Sequence, residues 1–186
     1  MILKPKSFLA RSGVIGLAFV GIAVQGLRAQ TPARRDTLLT AAQVIIKAAR
    51  YSGLATFDES GRVRIRTMDP FPPEADMVVW MGTHRRSRKV RDIENDPRVT
   101  LYYNSPTGSG YVAISGTAHL VDDPTEKDAR WKEEWGAFYV DREADYLLIR
   151  VEPNRLEVID YSRGIQGDPE TWEPPFVVFP GGESPL

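Results

Sequence analysis

The chain of 186 residues contains no cysteine and only two histidines. The lack of cysteine excludes disulfide frameworks, thiolate nucleophiles and metal sites with cysteine ligands. His84 and His119 lie far apart in the sequence, so a zinc site with several histidine ligands is also excluded. A Ser-His-Asp triad would have to use one of these two histidines, and nothing near either of them resembles such a triad.

A strong charge of either sign is also absent. The chain has 24 lysines and arginines against 25 aspartates and glutamates, which gives a formal net charge of -1 and a pI near 6.2. This balance argues against a general binder of nucleic acids or membrane surfaces. The chain is long enough for one domain of ordinary size, and any basic cluster in it is a local feature.

The first thirty residues have the pattern of an export signal. Three basic side chains lie in residues 4–11, and residues 12–26 are mainly small and apolar over a length shorter than a membrane span. Cleavage after Ala29 would remove this segment. We therefore predict a signal peptide at residues 1–29 and an extracytoplasmic protein, periplasmic or secreted. An uncleaved segment that anchors the protein in a membrane is the alternative.

The apolar periodicity of the remaining chain predicts mainly strands. The predicted strands are 54–57, 63–68, 77–81, 98–103, 111–121, 145–151 and 155–161, and the predicted helices are 36–50, 87–95 and 124–135. Residues 152–154 are predicted to form the turn of a hairpin between the last two strands. Six or seven strands at these spacings predict a small antiparallel barrel with peripheral helices. The tail of residues 162–186, which contains proline, glycine and tryptophan, is predicted to have no regular element.

Residues 80–98 are the most informative stretch for function. A strand is predicted to stop at Gly82-Thr83, a basic loop follows, and Ser87 begins a helix that Asp96-Pro97 ends. Serine is a good N-cap residue, because its hydroxyl can accept a hydrogen bond from a free backbone N–H in the first turn. Helix starts carry unpaired N–H groups and partial positive charge, so they favour anions.

Four basic residues crowd the predicted start of this helix: Arg85, Arg86, Arg88 and Lys89. Cations are disfavoured at this end of a helix unless an anion joins them. The pattern therefore favours a phosphate-binding site. A solvated basic loop that binds no ligand is the alternative.

Four short sequences, in their order along the chain, resemble the pyridoxamine 5'-phosphate oxidase-like split barrels, and within these the general stress protein type. They are Arg66-Thr67-Met68, Trp80-Met81-Gly82-Thr83, Ser87-Arg88-Lys89 and Asp96-Pro97-Arg98-Val99. The resemblance extends from about Asp36 to Tyr161. It implies a split-barrel domain at residues 30–161, mainly β within the α+β class. It also implies a homodimer that binds flavin mononucleotide (FMN) in two clefts at the subunit interface.

The resemblance implies that nine residues bind FMN: Arg66, Thr67, Met68, Gly82, Thr83, Ser87, Arg88, Lys89 and Tyr111. The two arginines and the lysine would hold the phosphate, with the serine at the helix start. The backbone of Thr67 and Met68 would line the isoalloxazine ring. Gly82 and Thr83 would face the cofactor beside the phosphate. Tyr111 falls where relatives often place a polar residue near the ring.

The chain departs from the true pyridoxamine phosphate oxidases. Their C-terminal basic segment carries an arginine and a histidine that engage the substrate, whereas residues 155–160 of this chain contain no histidine. The lysine expected shortly after Arg66 is also absent from residues 69–71. A role in vitamin synthesis is therefore disfavoured.

Two functional classes remain. The first is an FMN-dependent oxidoreductase with an unknown small-molecule substrate or electron donor, in which the flavin carries the redox chemistry. The second is a non-catalytic, stress-related carrier of flavin. Related barrels that bind a deazaflavin or haem are further alternatives. No side chain is an obvious acid–base catalyst, and the sequence predicts neither a metal site nor a nucleic-acid partner.

Overall fold

The computed structural model describes residues 32–181, so the predicted signal peptide at 1–29 lies outside the described residues. Within them the strands are β1 (Ser52–Phe57), β2 (Val63–Met68), β3 (Val79–His84), β4 (Arg98–Asn104), β5 (Gly110–Val121), β6 (Tyr146–Asp160) and β7 (Phe176–Val178). The α-helices are α1 (Pro32–Ala49), α2 (Arg88–Asn95), α3 (Pro124–Ala129) and α4 (Arg142–Asp145). Two 3₁₀ turns, Glu133–Ala137 and Tyr161–Arg163, lie between these elements.

The strands form one antiparallel sheet in the order β2-β1-β4-β5-β6-β3, with β7 paired to β6. Leu54, Leu101, Ile114 and Leu156 come from four adjacent strands and are fully buried on the inner face. More exposed residues alternate with these buried ones along β1, β4 and β5, as expected for a sheet with one buried face. The seven described strands and few helices confirm the predicted antiparallel split barrel.

Helix α1 packs against the inner side of this sheet. It begins at Pro32, four residues before the predicted start, and its buried residues include Leu38, Ala42 and Ile45, which recur at helical spacing. Nη1 of Arg35 donates a hydrogen bond to the carbonyl of Val178 at 2.8 Å, which ties the helix to β7. Within residues 32–181, no helix has both the length and the apolar character that crossing a membrane requires.

The predicted hairpin turn at residues 152–154 is wrong, because β6 continues through these residues as one strand. β5 pairs with β6 over its whole length, and the register shifts between Ser115 and Gly116, opposite the predicted turn. The irregularity is a β-bulge, which bends a strand without ending it. Glycine is needed at this bend, because a Cβ on Gly116 would lie 2.2 Å from the carbonyl oxygen of Glu152.

The tail after Ser162 contains a regular element, contrary to the prediction. Residues Phe176–Val178 form β7 on the edge of β6, and Val177 is fully buried beside Leu156. Only four apolar residues lie between Pro175 and Pro180, too few for a periodic pattern that would predict this strand.

The connection between β3 and α2 is shorter than predicted. β3 continues past Gly82-Thr83 because His84 still pairs with Tyr146 of β6. Only residues 85–87 then separate the strand from the helix. The helix predicted over 124–135 is also divided, into α3 and the 3₁₀ turn at Glu133–Ala137. The start of α2 and this 3₁₀ turn both lie beside the end of β3.

Candidate functional site

A cleft of about 450 Å³ lies at the ends of β2 and β3 and the start of α2. Five of the nine predicted cofactor-binding residues line it: Thr67, Met68, Gly82, Thr83 and Lys89. Trp135, Phe138 and Tyr139 line it from the 3₁₀ turn and the residues that follow. The volume is within the usual range for small-molecule sites, roughly 300–1,000 Å³.

Thr83 connects the strand to the start of the helix. Its buried Oγ1 accepts a hydrogen bond from Nζ of Lys89 at 3.2 Å and lies 3.0 Å from Oγ of Ser87. Ser87 is the N-cap residue of α2, as predicted, but its hydroxyl makes no capping bond because it faces Thr83. Helix geometry leaves the first N–H groups of α2, at Arg88 and Lys89, without an intrahelical acceptor, so they are available to an anion.

Arg66 extends from β2 towards this helix start and is held by a hydrogen-bond network. Its Nη1 donates to Oγ1 of Thr56 at 2.8 Å and to the carbonyl of Leu54 at 3.1 Å. Its Nη2 donates to Oδ2 of Asp92 at 3.2 Å, and the same oxygen accepts a hydrogen bond from Thr56 at 2.8 Å. Asp92 is only 7% exposed. The buried carboxylate therefore fixes the position of the guanidinium beside α2.

The charges at this end of the cleft are unbalanced, with three cations around one carboxylate. Burial, followed by repulsion from Arg66, lowers the pKa of Lys89 below its ordinary value. Burial also lowers the pKa of Arg66, attraction to Asp92 opposes the effect, and repulsion from Arg88 adds to it. Arg88 is exposed and has no hydrogen bond or ion pair with any described residue. An anion bound here would relieve this repulsion.

The other two arginines of the basic loop are already neutralised. Nη2 of Arg85 pairs with Asp122 at 2.6 Å, and Nη2 of Arg86 lies 3.5 Å from Asp145. Both partners lie outside α2, so these cations are directed away from the helix start. The predicted cluster of four cations is therefore divided, and two of its members remain for an anion.

The wall opposite the cations is a cluster of aromatic rings. Trp135 contacts Trp131, Tyr139 and Tyr146 with ring centroids 6.3, 6.2 and 5.9 Å apart, in edge-on or tilted arrangements. Edge-on pairs of this kind contribute about 0.5–1.5 kcal/mol beyond the burial of their surface. Gly82 makes the packing possible, because a Cβ there would lie 2.6 Å from Trp135 and 2.7 Å from Tyr146.

His84 and Tyr139 form the edge of the cleft. Their rings stack with centroids 6.3 Å apart, and Nε2 of His84 lies 3.2 Å from a carboxylate oxygen of Asp145. Burial raises the pKa of Tyr139 to about 12, so its phenol is neutral at physiological pH. Neither side chain is positioned as a free acid or base.

Tyr111 is the predicted site residue that lies away from this cleft. It is on β5, and its ring stacks on Tyr102 of β4 with centroids 5.5 Å apart. Both rings project from the outer face of the sheet. Of the other predicted residues that do not line the cleft, Ser87 contacts Thr83 and Arg66 contacts Asp92, whereas Arg88 lines a neighbouring pocket together with Arg91 and Asp92.

Sequence reasoning missed the residues that hold and enclose this site. Asp92 and Thr56 position Arg66, and Trp135 and Tyr139 form the aromatic wall. A local signal existed for Asp92, because it lies three residues after Lys89 and so shares its helix face. The spacing of Trp131 and Trp135, four residues apart, predicts a hydrophobic cover over one end of the barrel. No local signal places Trp135 or Tyr139 at this cleft, since they reach it from more than forty residues away in sequence.

The fold and cleft define a split barrel with a site for a small molecule, and similarity to known proteins identifies the family. Residues 40–165 match the family described as pyridoxamine 5'-phosphate oxidase like, and this chain belongs to that family. No curated protein matches the chain.

Three solved structures are similar to this fold. General Stress Protein 26 from Bacillus anthracis str. Sterne has 25% identity and a TM-score of 0.60, covering 75% of this chain and 97% of its own. A pyridoxamine 5'-phosphate oxidase-related, FMN binding protein from Nostoc punctiforme PCC 73102 has 17% identity and a TM-score of 0.52. The match covers 81% of this chain and 98% of that protein. A heme binding protein from Mycobacterium smegmatis has 16% identity and a TM-score of 0.54. The match covers 70% of this chain and 55% of that protein.

Proposed function

We propose that this chain binds FMN as a homodimer and uses it as an oxidoreductase on an unidentified small molecule. The observation that carries the proposal is the unbalanced positive charge at the start of α2. Arg66 is repelled by Arg88 and attracted by Asp92, and Lys89 is repelled by Arg66 and attracted by the same carboxylate. A ligand with a phosphate at one end and a flat ring at the other matches both ends of the cleft.

The polar end fits a phosphate. Lys89 is partly buried, and its only hydrogen bond to the described residues goes to Thr83. Arg88 is unpaired within residues 32–181, and the adjacent N–H groups of α2 add donors. Charge-assisted hydrogen bonds from these groups would hold a phosphate in a defined place.

The rest of the cleft fits a flat ring. Thr67 and Met68 line it from β2, and Trp135 and Tyr139 line it from the 3₁₀ turn and the residues that follow. A bound flavin would supply the capacity to accept and donate electrons or hydride. The protein would then bind the ring, orient it and exclude water, and the aromatic side chains suit that task.

The outer face of the sheet supports the homodimer. Val63 and Ile65 of β2 are exposed apolar residues, and Ile65 is 72% exposed. Tyr102 and Tyr111 continue this face across β4 and β5. An exposed apolar surface of this kind on a soluble domain is typical of a protein–protein contact. A second copy would cover it and bring Tyr111 to an interface.

Size-exclusion chromatography with light scattering tests the dimer and flavin loading together. The protein reconstituted with FMN should elute as a dimer that carries flavin absorbance. Ile65→Lys should shift it towards the monomer, whereas Val140→Lys, at an exposed apolar residue away from the sheet, should not. A monomeric wild-type protein without flavin absorbance would refute the proposal.

A non-catalytic flavin carrier is the second candidate, and two side chains at the cleft favour it. His84 faces Asp145, and Asp69 pairs with Lys132 at 2.9 Å, so both already have partners of opposite charge type. Such a site is compatible with hydride transfer that needs no acid–base catalyst, and it is equally compatible with storage of the flavin. Rapid reduction of the bound flavin by an added electron donor would support the enzyme, and resistance to every donor would support the carrier.

We also propose that the protein is exported, with FMN loaded outside the cytoplasm. The support is the charged and apolar pattern of residues 1–29, which lie outside the described residues. Mass spectrometry of the exported protein should find an N-terminus at or near Gln30. An intact Met1 on a protein confined to the cytoplasm would contradict export.

A further inference from the structure

A second cavity, of about 700 Å³, adjoins the cleft. It lies between the last turn of α1 and the loop of residues 69–73, with Lys132 and Glu134 on a third side. We name it the proline cavity, because the loop contributes Pro70, Pro72 and Pro73. The cavity is larger than the cleft, and none of the predicted cofactor-binding residues lines it.

The walls of the proline cavity are apolar and preformed. Ile46 lies on one side, and Phe71 and the three prolines lie on the other. Proline fixes its own φ, so this loop has little conformational freedom. The loop is also held to β3, since the N–H of Phe71 donates to the carbonyl of Trp80 at 2.8 Å. A flat apolar molecule could enter without a large rearrangement.

The free charges at the rim are mainly positive. Lys132 is neutralised by Asp69 at 2.9 Å, and its ammonium lies 4.9 Å from the centre of the Phe71 ring. Lys47 and Arg50 are exposed and have no ion pair with any described residue. Glu134 is the acidic group at the rim that also lacks such a pair. The rim is therefore suited to one anionic group.

Arg50 has an unusual backbone for an arginine. Its φ is 61°, in the left-handed region that glycine or asparagine usually occupies after a helix. This conformation is unfavourable for a residue with a Cβ, and such strain often accompanies a functional role. At this position glycine would avoid the backbone strain, but arginine places a cation at the cavity rim.

We propose that the proline cavity binds a flat, mainly apolar small molecule that carries one anionic group, held by Lys47 and Arg50. Asp69 lines both the cavity and the cleft, and Phe71 contacts Trp135 of the aromatic wall with ring centroids 5.7 Å apart. If the chain is the flavin oxidoreductase proposed above, on which this assignment rests, the molecule is its substrate.

Two fluorescent probes test the binding site without flavin. Anilinonaphthalene sulfonate is flat, apolar and anionic, and phenylnaphthylamine has the same rings without the sulfonate. The protein should bind the anionic probe more tightly. Replacing both cations, by Lys47→Gln with Arg50→Gly, should lower the ratio of the two affinities at least about fivefold, the loss of a modest charge contact. Arg34→Gln, an exposed arginine near the other end of α1, should leave the ratio unchanged.

The variants also distinguish a role of Lys47 and Arg50 in ligand binding from a role in stabilising the fold. Arg50→Gly alone should raise the unfolding temperature, because it removes the backbone strain, and should still lower the ratio. An unchanged ratio in the double variant would overturn the proposal and leave both cations as stabilisers of the end of α1. Complete displacement of the anionic probe by FMN would also overturn it, because the probe would then lie in the cleft.

The flavin-loaded protein tests the substrate assignment separately. Binding of the anionic probe should shift the absorption spectrum of bound FMN, since Asp69 lies in both spaces. If the probe binds without any such shift, the proline cavity does not bind the substrate and is a site independent of the flavin. A protein that binds the probe but never binds FMN would contradict the proposed flavin function alone.

Discussion

The two ends of the cleft are stabilised in different ways. At the polar end, hydrogen bonds fix Arg66 and Lys89, but the charges around α2 remain unbalanced. At the aromatic end, Trp131, Trp135 and Tyr146 pack against one another, and each ring contacts the next. The aromatic end is thus complete within the protein, whereas the polar end is complete only with an anion.

This difference assigns separate roles to the two ends. The aromatic wall should contribute mainly to folding, because its contacts exist without a ligand. The cations should contribute mainly to binding, because their mutual repulsion costs stability until an anion arrives. Substitutions at the aromatic end should therefore lower the stability of the fold, and substitutions at the polar end should weaken ligand binding.

The largest effect is expected at the aromatic wall. Trp135→Ala should lower the free energy of unfolding by about 3–5 kcal/mol, since it removes a nearly buried ring from the cluster. Urea denaturation of the ligand-free protein measures this loss. Phe138→Ala is the matched control, because Phe138 is 73% exposed three residues further along and should change stability by less than about 0.5 kcal/mol. Equal effects would show that the cluster is not a packing unit.

The next largest effect is expected from Arg88. A charge-assisted hydrogen bond to phosphate contributes about 1.5–3 kcal/mol, so Arg88→Ala should weaken FMN binding about tenfold to a hundredfold. Riboflavin has the same ring without the phosphate, and its binding should hardly change. The ligand-free protein should lose no stability and should gain slightly, because Arg88 is exposed and unpaired within residues 32–181 and its removal relieves the repulsion of Arg66. Equal losses for the two flavins would mean that Arg88 does not contact phosphate.

Arg86→Ala provides the control for general electrostatics. Arg86 is also exposed and lies two residues before Arg88, but its Nη2 lies 3.5 Å from Asp145, outside α2. Its removal should weaken FMN less than about threefold, as expected for a screened charge at a distance. A loss as large as that of Arg88→Ala would indicate a diffuse basic surface instead of a defined site.

The smallest of these effects is the pH dependence that Lys89 should confer. Burial lowers its pKa, so the folded protein releases this proton at a lower pH than the unfolded chain. The ligand-free protein should gain stability as pH rises between that lowered pKa and the ordinary value near 10.5. Over the same interval the preference for FMN over riboflavin should fall by about tenfold, because the ammonium is lost.

Lys89→Arg tests this assignment by keeping the charge at high pH. Its preference for FMN should stay constant where that of the wild type falls, as measured by flavin fluorescence titrations at a series of pH values. A parallel decline in both proteins would assign the pH dependence to another group.

The polar end was largely predictable because its signals are local. Ser87, Arg88 and Lys89 are consecutive, and a serine followed by cations at a helix start has a direct physical meaning. The antiparallel barrel followed from the periodicity of its strands in the same way. The end of β3 was misplaced because pairing of His84 with β6 depends on a partner far along the chain.

The position of the aromatic wall at the cleft and the support of Arg66 were not predictable in this way, although the spacing of Trp131 and Trp135 predicts that they pack together. Asp92 meets Arg66 across 26 residues of sequence, and Trp135 meets Gly82 from a separate turn. Such contacts depend on tertiary packing, which no short window of sequence contains. The same holds for β6, where Pro153 indicated a turn but pairing with β5 on both sides of the bulge at Asn154 keeps the strand continuous.

The central claim is that the start of α2 is a phosphate site, and the affinity of the unmodified protein for two flavins tests it most directly. Calorimetric titration should show that FMN binds at least about a hundredfold more tightly than riboflavin, as expected when several cations contact one phosphate. The difference should shrink at high salt, because part of it is electrostatic. Equal affinity for FMN and riboflavin would contradict the account, because the cations at α2 would then play no part in binding.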